Sequence, residues 1–472
     1  MRILWLTPQL PYPPRQGTTL RNFNLIQQMA RHPRTHTIAL ATFLAPGEVL
    51  TPDSPLHDLC AQIITLPQPK RKLARRLWDT LTSPQPDMAL RLESPAMHQA
   101  VADLLADFRP QIVQVEGIEM GQYGLRAIAD NKNRTQIKRI ERIKTDQNEN
   151  QEIRFNPSNP SNPCSILESS EPDHPKLIFD DHNVEYLLQK RNALVDLRRP
   201  QRWHAAAYSL IQWAKLVRYE KKLCETADGV VAVSSVDRDE LARLAPDRPL
   251  APVLVPNGID LDAYAPHALQ PWGEPSTTSP KVGGRGVHLP AAADVPKMVF
   301  TGKMDYRPNV DAVLWFADKV LPLILAQAPT ARFQIVGMSP HPRLERLRAN
   351  PAIQITGAVA EIQPYIHGAA VYVAPLRVGG GTRFKILEAL ASGKPVVSTP
   401  LGVEGLGVRD QQEVLIGDTP ETFARHVIAL IRSHQGDGTL AGRLGFCARQ
   451  FVEERYGWSR LSPTLDELYK RC

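Results

Sequence analysis

The sequence predicts an α/β protein built from two parallel-sheet domains, and three observations carry that expectation. The chain has 472 residues, too many for one compact core and suited to about two or three domains of ~150 residues. Short apolar runs recur between stretches of helical periodicity, in two series separated by polar sequence. The intervals leave room for crossover helices, which join parallel neighbours in a sheet.

The first series of runs covers residues 3–7, 37–43, 112–116, 177–181, 229–234 and 253–256. The second covers 298–302, 332–337, 353–356, 371–374, 395–399 and 414–416, with helix candidates at 310–326 and 384–391. Residues 1–255 and 256–445 are therefore expected as two domains, joined near Val255-Pro-Asn-Gly258. Two polar, proline-rich stretches interrupt the pattern: an insertion at about 131–175 in the first domain and a loop at about 268–295 just inside the second. Both have too little apolar surface to offset the entropy of ordering. Residues 446–472 show helical periodicity and are expected to pack back on the first domain. Open parallel sheets bind ligands beyond the carboxyl ends of their strands, so two such domains facing each other would share one cleft.

Composition excludes more than it names. The 56 Lys and Arg against 49 Asp and Glu leave a net charge of +7, but 42 prolines and no reader motif argue against nucleic acid as a partner. Part of the basic excess is local. Lys70-Arg-Lys-Leu-Ala-Arg-Arg76 precedes Leu77-Trp78, and Leu197-Arg-Arg-Pro-Gln-Arg-Trp203 also ends in Trp. Basic residues beside tryptophan suit an anionic membrane surface; a solvated helix face is the plainer alternative. The five cysteines are scattered without C-x-x-C spacing, which argues against a disulfide framework or zinc. The apolar run at the N-terminus is too short for a signal peptide and no run reaches ~18 apolar residues, so a cytoplasmic protein, peripheral to the inner face of the membrane at most, is expected.

The sharpest local feature is Gly379-Gly-Gly-Thr-Arg-Phe-Lys-Ile-Leu-Glu388, which follows the apolar run at 371–374 and ends in a helix stopped by Gly393. Arg383 and Lys385 stand where that helix begins. Cations are disfavoured there unless an anion joins them, because the first free N–H groups already carry partial positive charge. Gly380, Gly381 and Thr382 would let backbone donors approach a phosphate, and the two cations suit a diphosphate. The alternative is that Lys385 and Glu388 form a surface pair worth ~0.2–0.5 kcal/mol. Neither a Walker loop nor a G-x-G-x-x-G fingerprint is present.

A second basic candidate is Lys303 in Phe300-Thr-Gly-Lys303, at the carboxyl end of the second sheet's first strand. On the first domain the matching rim carries Gly17, which precedes a helix and is expected to bring backbone donors to the diphosphate, together with Glu116 and His182 at strand ends. A histidine and a carboxylate there are candidate acid, base or positioning groups. Capping a helix or fixing a loop would explain His182 equally, and backbone hydrogen bonding would explain Glu116.

With these residues in view, the chain resembles retaining glycosyltransferases of the GT-B architecture, family 4 type, over most of its length outside the two insertions. The marks are the segment ending at Gly17, Asp228-Gly-Val-Val-Ala-Val-Ser234, Val255-Pro-Asn-Gly-Ile-Asp260, Phe300-Thr-Gly-Lys303, Phe333-Gln-Ile-Val-Gly337 and the stretch 379–399. Asp-His-Asn-x-Glu together with Gly-Gly-Gly-Thr-Arg-x-Lys-Ile-Leu-Glu is also similar to a bacterial subgroup tied to exopolysaccharide synthesis. The resemblance implies two Rossmann-like domains and transfer of a sugar from a nucleoside-diphosphate sugar, with retention, to a polysaccharide or lipid-linked glycan. The donor is a substrate, so no cofactor and no metal are implied. It places the donor on the second domain and the acceptor on the first.

The resemblance also implies Lys303 as a phosphate contact, Gly337 beside the nucleoside and Glu388 as acceptor for the ribose hydroxyls. It departs at Gly380, where the family's first motif glutamate would fall, and at Asn309, neutral where a second basic residue is usual. Arg383 or Lys385 is then expected to supply the missing charge. The family's acceptor-domain histidine is replaced by Glu116, with His182 one strand later. Two rival readings follow: a nucleotide-sugar-binding scaffold without transfer activity, and a sugar-nucleotide epimerase.

Overall fold

The computed structural model describes residues 1–14, 17–31, 36–129, 174–197, 201, 203–265, 295–378 and 383–472. The expected insertions at 131–175 and 268–295 fall almost wholly outside the described residues. The chain divides into two compact units, one of Met1–Val255 with Thr464–Cys472 and one of Pro256–Pro463.

The first unit holds a seven-stranded sheet in the order β3-β2-β1-β4-β5-β6-β7. Its strands are β1 (Arg2–Thr7), β2 (Thr37–Leu44), β3 (Gln62–Pro67), β4 (Ile112–Glu116), β5 (Lys176–Asp181), β6 (Gly229–Ala232) and β7 (Val253–Leu254). Every pair is parallel. Central strands covered on both faces need near-continuous apolar sequence, and residues 3–6 of β1, Ile-Leu-Trp-Leu, are fully buried. β3 is an addition to the expected strands; its four inner residues are half-buried at the sheet edge and its two ends are exposed. Strand order reverses between β1 and β4, and the crevice beyond such a reversal is where open sheets bind ligands.

The second unit has a six-stranded sheet, again all parallel, in the order β10-β9-β8-β11-β12-β13. The strands are β8 (Lys297–Thr301), β9 (Arg332–Val336), β10 (Ile353–Gly357), β11 (Val371–Ala374), β12 (Val396–Ser398) and β13 (Leu415–Ile416). Phe316 packs its ring 4.5 Å from Phe333 and 5.8 Å from Phe423, tying helix to sheet. The helix expected over 310–326 forms as Arg307–Trp315 and Leu321–Leu325 with a wide π-type turn, Phe316–Val320, between them. Pro322 stands just after that turn, and its missing N–H removes one rung of the helical ladder.

The C-terminal stretch expected as one helix is two, Thr439–Arg455 and Trp458–Arg471. The last helix leaves the second unit at Pro463 and its remaining residues belong to the first. There His36 bonds Asp466 at 2.8 Å. Among the described residues, no helix is long and apolar enough to cross a membrane.

Candidate functional site

Arg383 is the N-cap of the helix Phe384–Ala391, which follows β11. Gly393 ends it with φ +64°, the left-handed conformation a helix terminator needs. Gly380, Gly381 and Thr382 lie outside the described residues. Arg383 is buried, and its Nη2 donates to the Leu401 carbonyl at 3.4 Å.

Lys385 reaches away from its own helix toward β8 and the first turn of the helix Arg307–Trp315. Its Nζ donates to Asn309 Oδ1 at 2.6 Å and lies 4.3 Å from the centre of the Phe300 ring. Asn309 Nδ2 in turn donates to the Lys303 carbonyl at 2.8 Å. A side chain at Gly302 would put its Cβ 2.7 Å from both Lys385 Nζ and Asn309 Nδ2, so the latch requires glycine there. Burial pulls the Lys385 ammonium down to about 7, aided by Arg383 and opposed by Glu388.

Glu388, one turn on, is buried and accepts from the Tyr264 hydroxyl at 3.0 Å. Burial raises its carboxyl, while Tyr264 and Lys385 pull the other way. Lys303 is exposed at its tip and pairs with Asp305 at 3.3 Å. Gly337 presses on the same loop: an added Cβ would lie 1.8 Å from the Gly302 carbonyl oxygen. That approach alone accounts for glycine at 337, whatever its part in nucleoside contact. The second unit thus brings Lys303, Asn309, Lys385, Gly337 and Glu388 into one connected set, with Arg383 heading the helix that carries two of them.

The first unit assembles a different group. Gly17 opens the helix Gly17–Ala30, which turns Arg21 inward. Its guanidinium grips Asp180 through Nε to Oδ2 at 3.0 Å and Nη2 to Oδ1 at 2.9 Å, and Nη1 donates to the Val255 carbonyl at 2.9 Å. Glu116, at the end of β4, bonds His182 Nε2 at 2.8 Å. Its other oxygen accepts from Gln114 Nε2 at 2.9 Å, and Gln114 Oε1 accepts from the Tyr469 hydroxyl at 2.8 Å. Glu116, Asp180 and Arg21 are fully buried, whereas the His182 side chain keeps 15% of its surface exposed. His182 is therefore the member of this group that a ligand can touch.

Electrostatics follow from that burial. Burial opposes charge on His182, but the Glu116 hydrogen bond and charge, with Asp180 behind, raise its pKa overall. Burial pushes Asp180 up to about 6 against the pull of Arg21, with Glu116 adding to the rise. Glu116, Asp180 and His182 offer ligand atoms within 4.8 Å of one another, the composition of a metal site. Here the positive charge opposite Asp180 is the Arg21 guanidinium. Gly17 serves the helix that delivers Arg21, and the structure gives it no direct contact with Glu116 or His182.

Arg21, Gln114, Tyr264 and Tyr469 are absent from the sequence-level site. Arg21 had a signal: it shares a helix with the buried Leu25 and Ile26, and a charge among such residues demands a buried partner. Tyr264 and Tyr469 had none, since their partners lie 124 and 355 residues away.

Residues 295–433 match the family model described as "Glycosyl transferases group 1". A Klebsiella pneumoniae protein, "Uncharacterized 44.6 kDa protein in cps region", is 26% identical over 167 residues, covering 34% of this chain and 42% of that protein. The chain thus spans less than half the length of that curated relative. Sucrose-phosphate synthase from Thermosynechococcus elongatus has the same fold at a TM-score of 0.60 and 16% identity, covering 100% of this chain and 98% of its own. The Anabaena protein HepE, solved with UDP and glucose, matches at 0.56 and 12%, covering 100% of each chain. Residues 295–433 are thus similar to the group 1 glycosyltransferases, and the two parallel sheets share the fold of these solved structures.

Proposed function

We propose that this protein transfers a sugar from a nucleoside-diphosphate sugar to a polysaccharide or lipid-linked glycan, with retention of anomeric configuration. The observation that carries the reading is the pair of cations at the start of the helix Phe384–Ala391, Arg383 and Lys385, with Glu388 on the next turn. Helix-end N–H groups and two cations favour a group of more than one negative charge. Nucleotide-sugar transfer is further supported by the family match at residues 295–433, and a polysaccharide acceptor by the relative named for a cps region.

In this reading the donor diphosphate lies against Arg383, Lys385 and Lys303, with Gly380, Gly381 and Thr382 lending backbone donors, while Glu388 and Gly337 serve the nucleoside. The acceptor hydroxyl attacks the anomeric carbon on the face the diphosphate leaves. The sugar–oxygen bond breaks with its electron pair going to the diphosphate, and a phosphate oxygen takes the acceptor proton. The cations stabilise charge that grows as the bond breaks, which preorganised donors do best. They do so without a divalent metal. In the first unit, His182 contacts substrate and Glu116 is its positioning residue. The protein works in the cytoplasm.

The test is a thermal-shift screen of UDP-, GDP- and ADP-sugars in chelator, followed by a turnover assay with acceptor extract. A ligand that binds only the native state raises its melting temperature, and diphosphate release that requires acceptor supports transfer. Gly380, in place of the expected glutamate, favours one rival, a donor-binding scaffold. Tight donor binding without turnover across all donors would establish that rival. Conversion of a nucleotide sugar without acceptor would instead establish an epimerase.

A further inference from the structure

The helix Leu73–Thr82 is packed inside out. Leu73, Leu77, Trp78 and Leu81 are 68%, 58%, 62% and 78% exposed, and at 3.6 residues per turn they share one face with the exposed Ala74. The residues buried on the opposite side are Asp79 and Thr80. Asp79 is held by Arg71 at 2.8 Å and Arg75 at 3.0 Å. Lys215 Nζ donates to the carbonyls of Asp79 at 3.2 Å and Thr80 at 2.7 Å. Rolling the helix to hide its leucines would break these bonds, so the apolar face is held outward by the polar one.

A helix ordinarily buries its apolar stripe, and a contiguous exposed patch of this kind marks an interaction site. The polar side of this helix is anchored to a second one. Gln212 on the helix Trp203–Thr226 accepts from the Asp87 backbone at 2.8 Å, and Asp87 also bonds Arg71 and Arg76 at 2.9 and 3.0 Å.

We propose that the outward face of Leu73–Thr82 docks on an anionic lipid bilayer. The charge around the stripe selects this occupant. Residues 70–78 contain five cations and no acid, and Lys70, Lys72 and Arg75 are exposed at its rim. A second copy meeting this face about a twofold axis would bring those cations against themselves, whereas anionic headgroups would neutralise them. Leucine and tryptophan on one side with lysine and arginine along the other is the chemistry of a helix lying in the membrane interface. Ten residues make about 15 Å of helix, enough to lie along a bilayer surface and too short to cross it. The proposal is independent of the transferase reading.

The test is sedimentation of the full chain with vesicles. At low salt it should pellet with mixed phosphatidylcholine and phosphatidylglycerol vesicles, and much less with phosphatidylcholine alone or at high salt. The triple variant Leu77→Ser/Trp78→Ser/Leu81→Ser should lose at least roughly tenfold in vesicle binding, and Lys70→Glu/Lys72→Glu a similar amount, since each basic residue near such a surface is worth ~1 kcal/mol. All these side chains are exposed, so the variants should melt like the parent. A wild-type chain that stays in the supernatant with both vesicles overturns the proposal, as does a serine variant that binds undiminished. A dimer that the serine variant converts to monomer, with no vesicle binding, would give the face to a second copy and overturn it too.

Discussion

Lys385 Nζ and Asn309 Oδ1 stand 2.6 Å apart, joining the helix after β11 to the first turn of the helix Arg307–Trp315 through one neutral amide. Asn309 marks the place where the resemblance leads one to expect a second basic side chain, and the lysine reaches it from another element. Lys385 is held down at about 7 by burial, so above that pH the donor-free protein carries it largely neutral. An anion favours the charged form, so diphosphate binding must take up a proton there. Affinity for a nucleoside diphosphate should then fall as pH rises above about 7, by up to about tenfold per unit. Calorimetry of UDP, GDP and ADP across this range reads the slope. Lys385→Arg, always charged, should bind with a flat profile; a profile unchanged from the parent would separate Lys385 from the phosphates.

Arg383 and Lys303 are expected to differ in weight. Arg383 is buried, where a charged hydrogen bond contributes ~1.5–3 kcal/mol, so Arg383→Ala should weaken nucleoside diphosphate binding roughly tenfold to a hundredfold. Lys303 is more than half exposed and paired with Asp305, so solvent and salt screen it. Lys303→Ala should cost less, and its effect should shrink with added salt. Unchanged affinity in Arg383→Ala would remove that residue from the site.

The two sheets were readable because parallel strands buried on both faces leave near-continuous apolar runs; six of the seven strands of the first sheet and all six of the second coincide with the expected runs. What escaped is instructive. The inner residues of β3 are only half-buried, and the π turn at Phe316–Val320 arises from a proline inside an otherwise regular periodicity. In the site, Arg383 and Lys385 were visible as cations at a helix start, and the role of Glu388 came from the resemblance. The partners of Lys385 and Glu388, Asn309 and Tyr264, lie 76 and 124 residues away, and no local pattern encodes such meetings.

Gly337 and Gly302 offer a test of backbone approach. A Cβ at 337 would lie 1.8 Å from the Gly302 carbonyl, and the backbone of Gly302 itself must move before it fits. Gly337→Ala should therefore lower the melting temperature, at a cost of about 1–3 kcal/mol as for other overpacked sites. Ordinary stability in that variant would show that the loop after β8 yields readily.

His182 should titrate above an unperturbed histidine, because Glu116 favours its charged form. The sign is that of a raised pKa: the stabilisation is complete below the unfolded value near 6.5 and is lost as pH rises through the folded value. Glu116→Gln keeps the shape and removes the charge. NMR of the His182 ring should show its pKa falling in that variant, and the stability gap between parent and variant should be largest in acid and close as pH rises. Turnover should fall while the donor KM stays near the parent's, as expected of a residue that acts through another.

Tyr469 extends this pair to the C-terminal helix. Its hydroxyl donates to Gln114 Oε1, which fixes the amide so that Nε2 faces Glu116. Tyr469→Phe leaves a buried acceptor unmet, at ~1–3 kcal/mol, and removes the bond that holds the amide in place beside Glu116. Gln114→Leu removes the acceptor itself. If the chain of bonds runs as described, the two changes should combine to less than their sum by ~0.5 kcal/mol or more, the mark of residues sharing one network. The His182 titration should shift in each single variant. Strict additivity in the melts, with His182 unmoved, would mean that Tyr469 anchors the helix and has no part in holding Glu116.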